Sequence, residues 1–194
     1  MRRNRRRKCD RYLSDAELAR LGEVMATELV QRPARATALL LLALTGCRVS
    51  EIMGLSWADV RGRKLHLQDS KTGPRTVQLG TAARALIDAL ERHPQRAHLF
   101  HREKTCQRLR SLAAYWSEVR VSAGLGNVRL HDLRHTFASH AARGSETMPM
   151  ISRLLGHSHV RSTARYVHMD DADAIAGNQI MGDAIASYLG DPVP

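Results

Sequence analysis

The chain has 194 residues, 43% apolar and 25% charged, which suits one compact domain, or one domain with a small appendage, around a real core. Lys and Arg number 30 against 19 Asp and Glu, a formal net charge of +11, and so large an excess points to a polyanionic partner, nucleic acid or an anionic membrane surface. Three cysteines, scattered and without metal-ligand spacing, argue against a disulfide scaffold or a zinc module.

The run RRNRRRK at 2–8 holds six of the thirty basic residues and reads as an arm, residues 1–12, rather than as a folded element. A solvated tail, an arm that tracks DNA and a localisation tract all fit it. The basic start lacks the apolar stretch of a signal peptide, so a reducing cytoplasm is the expected compartment. SDAE at 14–17 is a capping box, and Leu18, Leu21, Val24, Met25 and Leu29 continue a helical stripe that Pro33 breaks. ATALLLLAL at 36–44 is too short to span a bilayer and reads as the centre of a buried helix, 34–45, ending at Gly46.

A short helix is expected from Val49 to Leu55. KLHLQ at 64–68 and RTVQL at 75–79 alternate apolar and polar residues across the turn formers DSKTGP, so 63–79 reads as a β-hairpin. Helices are expected at 81–92 and 104–122. The second carries Leu109, Leu112, Ala113, Trp116 and Val119 on one side and Lys104, Arg108, Arg110 and Arg120 on the other, facing either phosphates or solvent. After the break at GLG (124–126), further helices are read at 131–143, 148–155, 159–166 and 171–189. The expected class is mainly α with a small antiparallel β-hairpin or sheet.

Several chemistries are excluded by their missing residues. There is no phosphate-binding G-x-x-x-x-G-K-[ST] loop. His131 and His135 lack the Glu of a zinc-peptidase helix, and LGHSH at 155–159 adds no carboxylate. No carboxylate cluster suggests a two-metal site. What remains is cationic and metal-free: Arg48 in TGCRVSEIMGL, Lys71 at the hairpin tip, His131 and Arg134 in HDLRHTFASH, His157 in LLGHS, and Tyr166 in STARYVH.

These groups suit cleavage of a phosphodiester without a metal. The crowded transition state carries extra negative charge on its non-bridging oxygens, and arginine forks with an imidazole can donate to them. A tyrosine hydroxyl can attack phosphorus and conserve the bond as a phosphotyrosine. An ammonium can protonate the leaving oxygen. Lys71 fits that task because lysine is rare here: Lys8, Lys64, Lys71 and Lys104 are the only lysines among the 30 basic residues. Glu51, three after Arg48, either holds that guanidinium in place or forms an ordinary surface ion pair.

The order R-x-x-E, a lysine hairpin, H-x-x-R, LLGHS and a tyrosine nine residues after its histidine resembles the tyrosine recombinase or phage integrase family, particularly its Xer-like bacterial branch. The resemblance covers roughly 12–170. It implies a mainly helical catalytic domain over 13–170, in which Arg48, Lys71, His131, Arg134 and His157 surround the scissile phosphate. Tyr166 would form a 3′-phosphotyrosine in double-stranded DNA, and no metal or other cofactor would be required. His135 is read as a structural neighbour. Of the other tyrosines, Tyr12, Tyr115 and Tyr188, none follows the histidine box at the family spacing.

The resemblance further implies self-association into dimers and tetramers on DNA, with 171–194 docking on a neighbouring protomer or packing on its own core. Ile175, Ile180, Ile185 and Leu189 are its apolar points. The family's separate N-terminal core-binding domain is expected to be absent, which leaves an isolated catalytic domain or a short form whose arm (Arg5, Arg6, Arg7) substitutes for the clamp. Weaker, more salt-sensitive DNA binding follows. The expected activity is site-specific DNA recombination. A non-cutting DNA-binding regulator and a type IB topoisomerase-like nicking and closing enzyme are the alternatives.

Overall fold

The computed structural model describes residues 11–68, 73–102, 107–143, 155 and 171–190. Helix α1, Asp15–Gln31, opens on the expected capping box: the Ser14 amide donates to Glu17 Oε2 at 3.0 Å, and the Glu17 amide donates to Ser14 Oγ at 3.3 Å. Pro33 then starts helix α2, Pro33–Thr45, as its first residue, where a missing N–H costs nothing. Every residue from Ala36 to Thr45 is buried, so α2 is the hydrophobic axle of the domain.

Gly46 ends α2 in the left-handed conformation, φ 61°, with its amide donating to Leu42 O at 3.2 Å. Space demands glycine here too. A Cβ would lie 2.6 Å from Phe137 Cδ1 and 3.0 Å from Leu155 Cδ2. The chain can therefore turn sharply against the later helices and enter α3, Val49–Gly54.

The β segment is a three-stranded antiparallel sheet, one strand more than the hairpin read from the sequence. Strand β1, Val60–Arg61, pairs with β2, Lys64–Leu67, and β2 pairs with β3, Arg75–Gln78, with Leu65 opposite Val77 and Leu67 opposite Arg75. Leu65, Leu67, Val77 and Leu79 turn inward. Helix α4, Thr81–Asp88, follows and is shorter than the expected 81–92.

The largest difference lies before helix α5, Ala113–Ser122, which the sequence pattern starts at 104. Residues 107–109 instead pair back on the preceding chain: Arg102 N donates to Gln107 O at 2.8 Å, and Leu109 N donates to Phe100 O at 2.9 Å. Leu109 and Leu112 are both buried, but both precede the helix. Their spacing of three fits a helix stripe equally well, which is why periodicity extended the helix too far.

Helix α6, Leu130–Arg143, crosses α2, and its Thr136 Oγ1 accepts the Leu13 amide at 2.9 Å, tying the chain's entry to this helix. The last helix, α7, Asp171–Tyr188, packs on α1, α2, α4 and α6. Met181, Ile185, Ala186 and Leu189 are buried in this chain's own core, while Ile180 is 54% exposed. The helices read at 148–155 and 159–166 lie outside the described residues except for Leu155, which is buried. The mainly helical class with a small antiparallel sheet is the observed one. Among the described residues, no helix is long and apolar enough to cross a membrane.

Candidate functional site

Three elements converge where α2 ends. The turn at Gly46 delivers Cys47 and Arg48, α3 presents Glu51 one turn later, and α6 brings Arg134 from across the core. Arg48 sits at the N-cap of α3, and its amide donates to Glu51 Oε2 at 2.7 Å. Its guanidinium Nη1 donates to Glu51 Oε1, also at 2.7 Å. Glu51 is not half of a surface ion pair: its side chain is 1% exposed. Burial opposes its charge, but hydrogen bonds from Arg75 and Arg48 prevail and bring its pKa down to about 2.

The second guanidinium on that carboxylate was not expected from the sequence. Arg75 Nη2 donates to Glu51 Oε2 at 2.9 Å and lies 3.7 Å from Cys47 Sγ. A signal for it exists in the sequence. In a strand, alternate residues share a face, so Arg75 shares one with Val77 and Leu79, which are buried. A charge in the apolar register asks for a buried partner.

Arg134 is 5% exposed. Its Nη1 donates to Gly46 O and its Nη2 to Leu155 O, each at 2.6 Å. The guanidinium thus braces the end of α2 against residue 155 while keeping further N–H groups for another acceptor. Burial, then repulsion from Arg48 and Arg75, lowers its pKa to about 10, so it stays charged at neutral pH. Burial raises the Cys47 pKa, so this thiol is protonated and inert.

His131 is exposed at the start of α6 and packs edge-on against His135, ring centroids 4.9 Å apart. Desolvation, then the nearby His135 and Arg134, depress its pKa below the ordinary imidazole value, so it is neutral at pH 7. Asp132 is buried and holds Arg129, whose amide donates to Asp132 Oδ2 at 2.8 Å. This carboxylate therefore caps the start of α6.

The described residues thus bring together Arg48, Glu51, Arg134 and His131. Lys71, His157, Tyr166, Lys104, Arg5, Arg6 and Arg7 lie outside the described residues. Arg108 and Arg110 precede α5, so they share no helix face with Arg120. Arg108 caps α3 instead, its Nη2 donating to Met53 O at 3.0 Å. Among the other tyrosines, Tyr115 is buried, and burial with the nearby Glu28 drives its hydroxyl pKa up, away from nucleophilic use. Tyr12 lies under the Arg143 guanidinium, 5.8 Å from the ring centroid, and Tyr188 lies beside His140.

Comparison with known proteins matches residues 11–173 to the phage integrase family. The tyrosine recombinase XerD of Chlamydia pneumoniae is 31% identical over 142 residues, covering 64% of this chain and 45% of the relative. The chain spans less than half the length of curated relatives that it matches, 45% and 46% for two of them. The crystal structure of XerA recombinase superimposes with a TM-score of 0.68 at 25% identity, covering 89% of this chain and 63% of that one. The XerH site-specific recombinase bound to its difH substrate superimposes with a TM-score of 0.62 at 20% identity, covering 87% of this chain and 54% of that one.

Proposed function

The chain belongs to the phage integrase family, and from that membership we propose that it carries the catalytic domain of a site-specific DNA recombinase. The observation that carries the reading is the cluster at the end of α2. Arg48 and Arg134 come from separate elements to one place, with Glu51 at 1% side-chain exposure holding the first. One buried and one half-buried cation held by fixed partners form a preorganised seat for an anion, and its electrostatic effect exceeds that of the same groups in water.

In this reading the anion is a DNA phosphate. Arg48 and Arg134 donate to its non-bridging oxygens, and His131 adds an N–H donor. The Tyr166 oxygen attacks phosphorus as its proton passes to water, and the bond to the 5′-oxygen breaks. Lys71 gives the departing oxygen a proton, and His157 supports the phosphate. The 3′-phosphotyrosine keeps the bond energy, so rejoining needs neither metal nor nucleotide. The likeness to a recombinase solved with its DNA substrate supports duplex DNA as partner. Lys104, Arg110, Arg120 and the arm residues Arg5, Arg6 and Arg7 belong to the proposed DNA contact, whereas Arg108 is engaged at the end of α3. Self-association on DNA is part of the same proposal, with the exposed side of α7 around Ile180 left for a neighbour.

The test is incubation with negatively supercoiled DNA in EDTA, followed by SDS electrophoresis. A covalent protein–DNA band that maps to Tyr166 and vanishes in Tyr166→Phe, with DNA binding unchanged, is the expected result. Salt-sensitive binding without an adduct would instead indicate a non-cutting DNA-binding protein. Relaxation without exchange between sites would indicate a nicking and closing enzyme.

A further inference from the structure

Arg75 is the member of the cluster to which the mechanism above gives no task. It opens β3 in that strand's buried register, with its side chain 13% exposed. A buried guanidinium is costly unless its partners are well placed, so its position needs a reason. Glu51 supplies one oxygen to the Arg48 guanidinium and the other to the Arg48 amide and to Arg75. A carboxylate gripped at both oxygens from two elements cannot rotate, so the direction in which it aims Arg48 depends on Arg75. The same guanidinium brings charge: Arg48, Arg75 and Arg134 against Glu51 is formally three positive to one negative.

We propose that Arg75 is a positioning residue of the phosphate site: it locks the Glu51 carboxylate in the orientation that aims Arg48, and it adds a third positive charge to the cluster that receives the anion. The inference rests on reading this cluster as the phosphate seat of a DNA-cleaving enzyme. It ties the sheet to the chemistry, since a shift of β3 is felt at Arg48 through one carboxylate. The repulsion that Arg75 and Arg48 exert on Arg134 is relieved when an anion arrives, which favours a filled seat over an empty one.

The experiment measures single-turnover adduct formation on negatively supercoiled plasmid in EDTA, as a function of protein concentration. Wild type, Arg75→Met, Arg75→Lys, Glu51→Gln and the Arg75→Met/Glu51→Gln double variant are compared. Arg75→Met is expected to lower the saturating rate at least tenfold, with the half-saturating concentration within threefold of wild type. Arg75→Lys should recover at least a third of the lost rate. In the Glu51→Gln background Arg75→Met should add less than threefold, because both act through one carboxylate. A residue that only stabilised the strand would lower the melting temperature and leave the saturating rate alone.

A saturating rate for Arg75→Met within twofold of wild type, or full multiplication of the two single effects, overturns the inference while leaving the recombinase reading intact. A wild-type chain that forms no adduct overturns both. Should Arg75→Met fail to fold, Arg75→Lys is compared with Arg75→Gln at equal folded fraction. A lysine advantage below fivefold then counts against the proposal.

Discussion

Glu51 shows how much one side chain settles. Its carboxylate is desolvated, yet its pKa lies near 2 rather than at the ordinary 4.5, because Arg75 and Arg48 donate to it. A depressed carboxylate contributes stability that is fully present above its unfolded pKa and is lost as pH falls through its folded one. The shift corresponds to a contribution on the order of 3 kcal/mol. Acid titration of the melting temperature should therefore show wild type losing stability between about pH 4.5 and pH 2. Glu51→Gln should lose less over that window while being less stable at pH 7, because the change leaves two half-buried guanidiniums without their carboxylate. An identical acid profile for the two would mean the carboxylate is not held as described. His131 completes the residue scale: its depressed pKa leaves the imidazole neutral at pH 7, and an anion bound beside it would favour its protonation.

At the scale of elements, close backbone approaches hold the helices in register around α2. Gly22 in α1 lies under the end of α7, and a Cβ there would sit 2.0 Å from Leu189 O. That contact is with backbone, which cannot swing aside. Gly22→Ala should therefore cost about 1–3 kcal/mol or more by displacing the end of α7. Thermal unfolding, with limited proteolysis of the C-terminal helix, checks this; unchanged stability would mean α7 sits elsewhere in solution.

Elements also divide what was legible in the sequence from what was not. The capping box at Ser14, the proline start of α2, its glycine stop and the span of α6 follow from local chemistry, and the structure has them within a residue or so. The start of α5 does not, because Leu109 N is paired with Phe100 O rather than with a helical partner. A stripe of period three cannot reveal that competition. Strand β1 is not legible in the sequence for a related reason: at two residues it is too short for alternation to register.

For the whole molecule, the excess of 30 basic over 19 acidic residues sets the expected response to salt. Binding to a short duplex, measured across potassium chloride concentrations, should weaken steeply on a log–log plot, by about 0.9 in slope for each phosphate neutralised. If the six basic residues of the arm at 2–8 lie along DNA, deleting them should reduce that slope by up to about 5. An unchanged slope would make the arm a solvated tail.

By itself the sequence determined the class of fold, the buried axle and its stop, and the ordered motifs that mark the family. These depend on periodicity, capping and spacing, which are local and survive in one dimension. The identity of the carboxylate's partners was decided only in three dimensions. Arg48 is three residues from Glu51 and could be guessed, whereas Arg75 is 24 residues away and arrives by way of a sheet. Likewise Arg134 reaches Gly46 across 88 residues because Phe137 and Gly46 pack without a Cβ between them. Close packing and burial set those contacts, and both depend on where distant segments come to rest, which no local pattern encodes.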